Sequence, residues 1–118
     1  MLSGTLAPGH HYLIQEAAGT GGTTNLPTPQ VIGSIAMSAS SGKVALTKTT
    51  TLLTVDNPTG NTNLVDFVGY GSADAFEGAG AAPTLTNTTS ALRAGAGATD
   101  TNNNAADFSA GAPNPRNT

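Results

Sequence analysis

The chain lacks cysteine and tryptophan, and its 118 residues carry only four Lys and Arg, three Phe and two Tyr. Without cysteine there are no disulfides, no thiol chemistry and no cysteine metal sites, and the redox compartment is left open. Four basic side chains cannot neutralise many phosphates, which argues against nucleic-acid binding through a basic face. The same count argues against a polybasic membrane anchor. No apolar run approaches the length of a membrane span, and the opening residues lack the charged and apolar regions of a signal peptide.

Leu, Ile, Val and Phe together occupy 21 of the 118 positions, thin enough to raise the question of disorder. With 9% charged residues and a net charge of −3, however, there is little self-repulsion to hold the chain open. Thr occurs 19 times and suits a pleated surface, while 15 Gly and 7 Pro interrupt every possible long helix. The composition predicts an all-β chain forming one domain over residues 1–118, with no linker.

The run Asn63 to Gly71 organises the prediction. Leu64, Asp66, Val68 and Tyr70 alternate with Val65, Phe67 and Gly69, the two-residue period of a strand, with large groups on both faces as a central strand requires. Ahead of it, Pro8-Gly9 marks a turn, and His11 to Gln15 alternates as a strand able to pair beside the central one. Residues 17–30, broken by glycine and proline, read as a long surface loop. A short apolar segment follows from Val31 to Met37. Lys43 to Thr47 alternates as a brief strand that Thr49 to Asp56 prolongs. The turn cluster Asn57 to Asn61 then sets the flanking strands antiparallel. A second long loop, residues 71–86, is expected to tuck Phe76, Leu85 or both back as plugs. Ser90 to Arg93 forms a further strand, Phe108 is the last core candidate, and a proline-fixed tail closes the chain.

The chain carries few motifs of chemical consequence. Gly69-Tyr70-Gly71-Ser72-Ala73 lacks the Gly-x-Ser-x-Gly order of a nucleophile elbow, and the glycine pairs fit no phosphate or dinucleotide fingerprint. His10 and His11 would point to opposite faces of an extended strand, so they cannot grip one metal together. Asp66, Asp74 and Glu77 gather near the end of the central strand. Asp66, set among apolar residues, suits a hydrogen-bonded or edge-guarding role better than a general acid/base pair. Asp100, Asn102, Asn104 and Asp107 offer oxygens at the spacing a hard cation wants. Yet Ala105 stands where a calcium loop needs its turn glycine and Gly111 where it needs a bidentate Glu. Asx-rich turns explain the run without a metal. Asn87-Thr88-Thr89 is a glycosylation sequon, of consequence only in a eukaryotic secretory host. No catalytic residue, metal or cofactor is expected.

An ordered series of segments resembles the lamin tail domain in its bacterial secreted-protein form. The series comprises Leu6-Ala7-Pro8-Gly9, Tyr12-Leu13-Ile14-Gln15, Gly42-Lys43-Val44-Ala45-Leu46, Val65-Asp66-Phe67-Val68-Gly69-Tyr70-Gly71 and Phe76-Glu77-Gly78. Asn87 to Arg93, Ala106-Asp107-Phe108 and Pro113 to Asn117 complete it. The resemblance implies an immunoglobulin-like β-sandwich with long loops and no catalytic residues of its own. It also implies a secreted or cell-surface setting, often beside nuclease- or phosphoesterase-type domains. Members of the family begin with strands ahead of the Leu-Ser-Gly segment that this chain lacks, so the domain is expected to be N-terminally incomplete and to self-associate through an uncovered strand edge. The expected role is a non-catalytic interaction or spacer module, or else the accessory segment of a secreted nuclease or phosphoesterase whose catalytic domain lies elsewhere. Low charge, many Thr and Asn, and the loops at 17–30 and 71–86 suit a weak, wet contact with a protein or a cell-surface polysaccharide.

Overall fold

A computed structural model describes residues 1–118. Strands outweigh helix, 24% against 6%, and they form three small sheets. The strands are β1 (Ile14–Gln15), β2 (Val31–Ile32), β3 (Ser41–Thr47), β4 (Leu64–Gly71), β5 (Ser90–Arg93) and β6 (Phe108–Gly111), with one helical turn, α1 (Asn104–Asp107). The chain divides into two compact units, Ser38–Ala112 and a smaller one made of Met1–Met37 with Pro113–Thr118. No helix is long and apolar enough to cross a membrane.

In the larger unit, the alternating run expected at the centre is β4, the longest strand, and it pairs antiparallel with β3. Val44 lies opposite Val68 and Ala45 opposite Phe67, with a bulge between Leu46 and Thr47. The turn cluster closes this hairpin through its own side chains. Asn57 Oδ1 accepts from Thr59 N at 3.1 Å, Asn61 Oδ1 accepts from Asn63 N at 2.9 Å, and Lys48 N donates to Asn63 O at 2.8 Å. Residues 49–56 do not prolong β3. Thr47 Oγ1 donates to Thr49 O and Thr49 Oγ1 accepts from Thr51 N, local bonds that turn the chain away from a ladder.

The core is small: Phe67, Tyr70, Ala75 and Ala82 are its buried apolar residues. Tyr70 lies across Gly42, where any Cβ would overlap the phenol ring, and its hydroxyl donates to Ser38 O at 2.5 Å. Gly69 is required for a similar reason on the opposite face, since a Cβ there would run into the carbonyl of Ala75. The loop after β4 is therefore packed against its own strand. Ala82 N donates to Gly69 O at 2.8 Å and Gly71 N to Ala82 O at 2.9 Å, a parallel bridge along the edge of β4 that faces away from β3. Phe76 and Leu85 are half-buried, and the side chains this loop buries fully are Ala75 and Ala82. β5 and β6 form a second antiparallel ladder, Arg93 opposite Phe108, and Phe108 is half-buried rather than central to the core.

In the smaller unit, the strand expected over His11 to Gln15 shortens to β1 and pairs in parallel with β2 instead of with β4. Gln30 directs this pairing, for its Oε1 accepts from Leu13 N at 2.7 Å while its own backbone N donates to Leu13 O at 2.9 Å. Residues 16–30 supply the long crossover that parallel neighbours need. Glu16 anchors the far end by accepting from Ile35 N at 2.9 Å.

Candidate functional site

The polar residues of the larger unit converge beside β4. Asn104, on α1, is 1% exposed, and its amide works as a substitute peptide on the outer edge of that strand. Oδ1 accepts from Gly69 N at 2.9 Å and from Glu77 N at 3.1 Å, while Nδ2 donates to Phe67 O at 3.0 Å. Backbone bonds Asn104 N to Glu77 O and Ala105 N to Gly80 O complete the clamp. Asp107, also 1% exposed, closes the turn in front of it, taking Thr101 N at 2.8 Å, Thr101 Oγ1 at 2.7 Å and Asn103 N at 3.4 Å. The Thr101 hydroxyl first, then these N–H groups, hold the Asp107 carboxyl below the usual carboxylate range. Asn102 takes a left-handed φ of 54°, a conformation that Asn tolerates at the apex of such a turn.

Arg93 sits between this turn and β4. It pairs with Asp66 at 2.5 Å and Asp100 at 3.2 Å, donates to Thr99 O, and lies 4.6 Å from the centre of the Phe108 ring. The third carboxylate of the group is Glu77, and oxygens of Asp66, Glu77 and Asp100 all lie within 4.8 Å of one another. Burial first, then the charges of Asp66 and Asp100, push the Glu77 carboxyl up, with Arg93 and Asn104 opposing. Asp66 Oδ1 and Glu77 Oε2 are buried without a hydrogen-bond partner. The guanidinium already supplies two of the three carboxylates with their cation.

Of the residues considered for a cation from sequence, Asp100 is drawn to Arg93, Asn104 to the edge of β4 and Asp107 to Thr101. Asn102 gives its backbone N–H to Asp100. Of the two roles expected for Asp66, hydrogen-bonded or edge-guarding, the structure shows the first, in its bond from Arg93, whereas Asp74 leaves the group and binds Lys43 Nζ at 2.9 Å. The part of Arg93 has no local signal, because its partner Asp66 lies 27 residues away and no spacing rule links them. Ser72 is exposed on the turn after β4, and its hydroxyl bonds to no base. In the smaller unit His10 and His11 do not lie in a strand, and both line one open cavity of about 470 Å³.

Comparison of the chain with family models, with curated proteins and with solved structures finds no match.

Proposed function

We propose that the chain is a non-catalytic interaction or spacer module of an exported protein, built on an immunoglobulin-like β-sandwich plan of the lamin tail kind. The observation that carries this reading is the use made of the side chains best suited to chemistry. Asn104, Asp107, Arg93, Asp66 and Asp100 are engaged with one another or with backbone, and no serine or cysteine lies among them. The resemblance of the sequence to secreted lamin tail domains supports the setting.

The contact surface is assigned to residues 17–30 in preference to 71–86. Residues 17–28 are exposed throughout, while the second loop is bonded into β4 through Ala82 and Asn104. Self-association is assigned to β3, which has β4 as its single strand neighbour. Phe67 O turns toward Asn104 and so away from β3, which makes Phe67 and Ala45 a pair without mutual hydrogen bonds and points the Ala45 N–H at the free edge. Val44 and Leu46 beside it are 49% and 46% exposed. The test is assay of the purified chain on nucleic acid and on phosphate and carboxylate esters. Absence of turnover is expected, and turnover abolished by a single point substitution would overturn the reading.

A further inference from the structure

We infer that the cavity formed around His10, His11 and Tyr12 is a binding site for a neutral saccharide. The inference rests on the reading of the chain as a non-catalytic contact module and names the chemistry of one ligand. The cavity, about 470 Å³, lies wholly within the smaller unit and falls in the usual range of small-ligand sites, roughly 300–1,000 Å³.

Its lining selects the ligand by exclusion. No Lys or Arg side chain contributes, so a phosphate or a sugar acid would lose its hydration without gaining a fixed countercharge from a side chain. The aliphatic contribution is confined to Leu6 and Ala7, too little for a purely apolar guest. What remains are aromatic or heteroaromatic rings, hydroxyls and amides. Such a lining is complementary to a pyranose, which offers C–H groups to a ring face and hydroxyls around its rim.

The polar groups are also held in place, each with hydrogen-bonding capacity to spare. Tyr12 donates its hydroxyl proton to Ser3 O at 3.3 Å and keeps lone pairs free. Asn117 spends its amide nitrogen on Thr28 O at 2.7 Å, and its backbone carbonyl accepts from Gln30 Nε2 at 2.8 Å, leaving Oδ1 available. His11 Nδ1 meets Thr118 O at 2.9 Å. Because that oxygen only accepts, Nδ1 carries a proton, and Nε2 on the other side of the ring is left to meet a sugar hydroxyl. The His10 ring makes no intramolecular hydrogen bond. Side chains tethered at one atom and free at the other lose little entropy when a ligand arrives, which suits a shallow site.

The experiment is titration of the full ¹⁵N-labelled chain with cellotetraose, maltotetraose and chitotetraose, with glucose 6-phosphate and galacturonic acid as charged controls. At least one neutral tetrasaccharide is expected to give saturable shifts at Ser3 to Tyr12, Gln30 and Asn117, at a Kd tighter than about 10 mM. His10→Ala, which breaks no internal bond, is expected to weaken binding at least threefold, and His11→Ala about tenfold, or ~1.4 kcal/mol. The spectrum of each variant checks that the fold is kept. The site is refuted if no tetrasaccharide shifts these residues, if a charged control binds tighter, or if His10→Ala binds as the parent does. Chromatography of the recovered probe separates the two readings. A probe bound here and cleaved would leave the site standing and remove the non-catalytic assignment, while no binding removes the site alone.

Discussion

Replacing Asn104 by Ala tests whether a buried amide serves as a structural rung of the β4 edge. The substitution strips three groups of their partner at once: Gly69 N–H, Phe67 C=O and Glu77 N–H. Gly69 and Phe67 are buried, and Phe67 is 2% exposed. A buried polar group left unpaired costs ~1–3 kcal/mol. Water entering the space vacated by the amide recovers part of this, so the expected loss is about 4 kcal/mol rather than the full sum. That is a large share of the ~5–15 kcal/mol by which a domain is usually stable. Urea unfolding followed by far-UV circular dichroism should show the midpoint falling by roughly 2–4 M at an m-value of ~1–2 kcal/mol/M. Hydrogen exchange adds a local readout, since the amides of Gly69 and Glu77 should lose protection before the β3–β4 ladder does. Asn104→Asp keeps the Oδ1 that accepts from Gly69 and Glu77 but sets a second oxygen against Phe67 O, and is expected to be clearly destabilising at neutral pH. A loss under about 1 kcal/mol for Asn104→Ala, with Gly69 still protected, would refute the reasoning.

Three further outcomes follow from the same geometry. The Glu77 carboxyl is raised, so the folded state binds more protons than the unfolded one between the ordinary and the raised value. Stability therefore falls as pH rises through that window; Glu77→Gln should raise the urea midpoint at pH 7 and flatten its dependence on pH, and a variant less stable than the parent at pH 7 contradicts this. Asp107 shifts the other way: its stabilisation is present above the unfolded carboxylate value and is lost as pH falls through the lowered folded one. Asp107→Asn should be destabilising at pH 7, with the gap to the parent closing under acid, and a gap that does not change with pH counts against the assignment. Ala45→Pro places a residue without an N–H where that group faces outward, so the β3–β4 hairpin should survive while association through the edge weakens. Sedimentation equilibrium measures it, and unchanged association would mean that copies meet elsewhere.

What could be read in advance was whatever is fixed by neighbours along the chain. The alternation of Leu64 to Gly71 becomes β4, and Asn57 to Asn61 makes the antiparallel turn, because side-chain direction and turn bonds are set within a few residues. Alternation alone does not choose a partner, however. Residues 11–15 carry the same period, yet only Ile14 and Gln15 form a strand, and they join β2 because Gln30, across a crossover, takes the Leu13 backbone.

The polar residues illustrate the limit more sharply. Asn104 and Asp107 stand out in the sequence as bearers of side-chain oxygen, and in the structure those oxygens accept hydrogen bonds. Nothing nearby shows that Asn104 will serve β4, reached from 35 and 37 residues away. The physical reason lies in the thin apolar composition. With four buried apolar residues in the core, two of them alanines, loops of this length gain little from hydrophobic anchoring. They are held by amides and carboxylates that pair with backbone at long range, and those residue types are also the ones a search for catalysis or metal binding selects. In such a chain a buried Asn or Asp signals a cross-link before it signals a site, and the groups free to meet a ligand are those tethered at one atom only, as around His11 and Asn117.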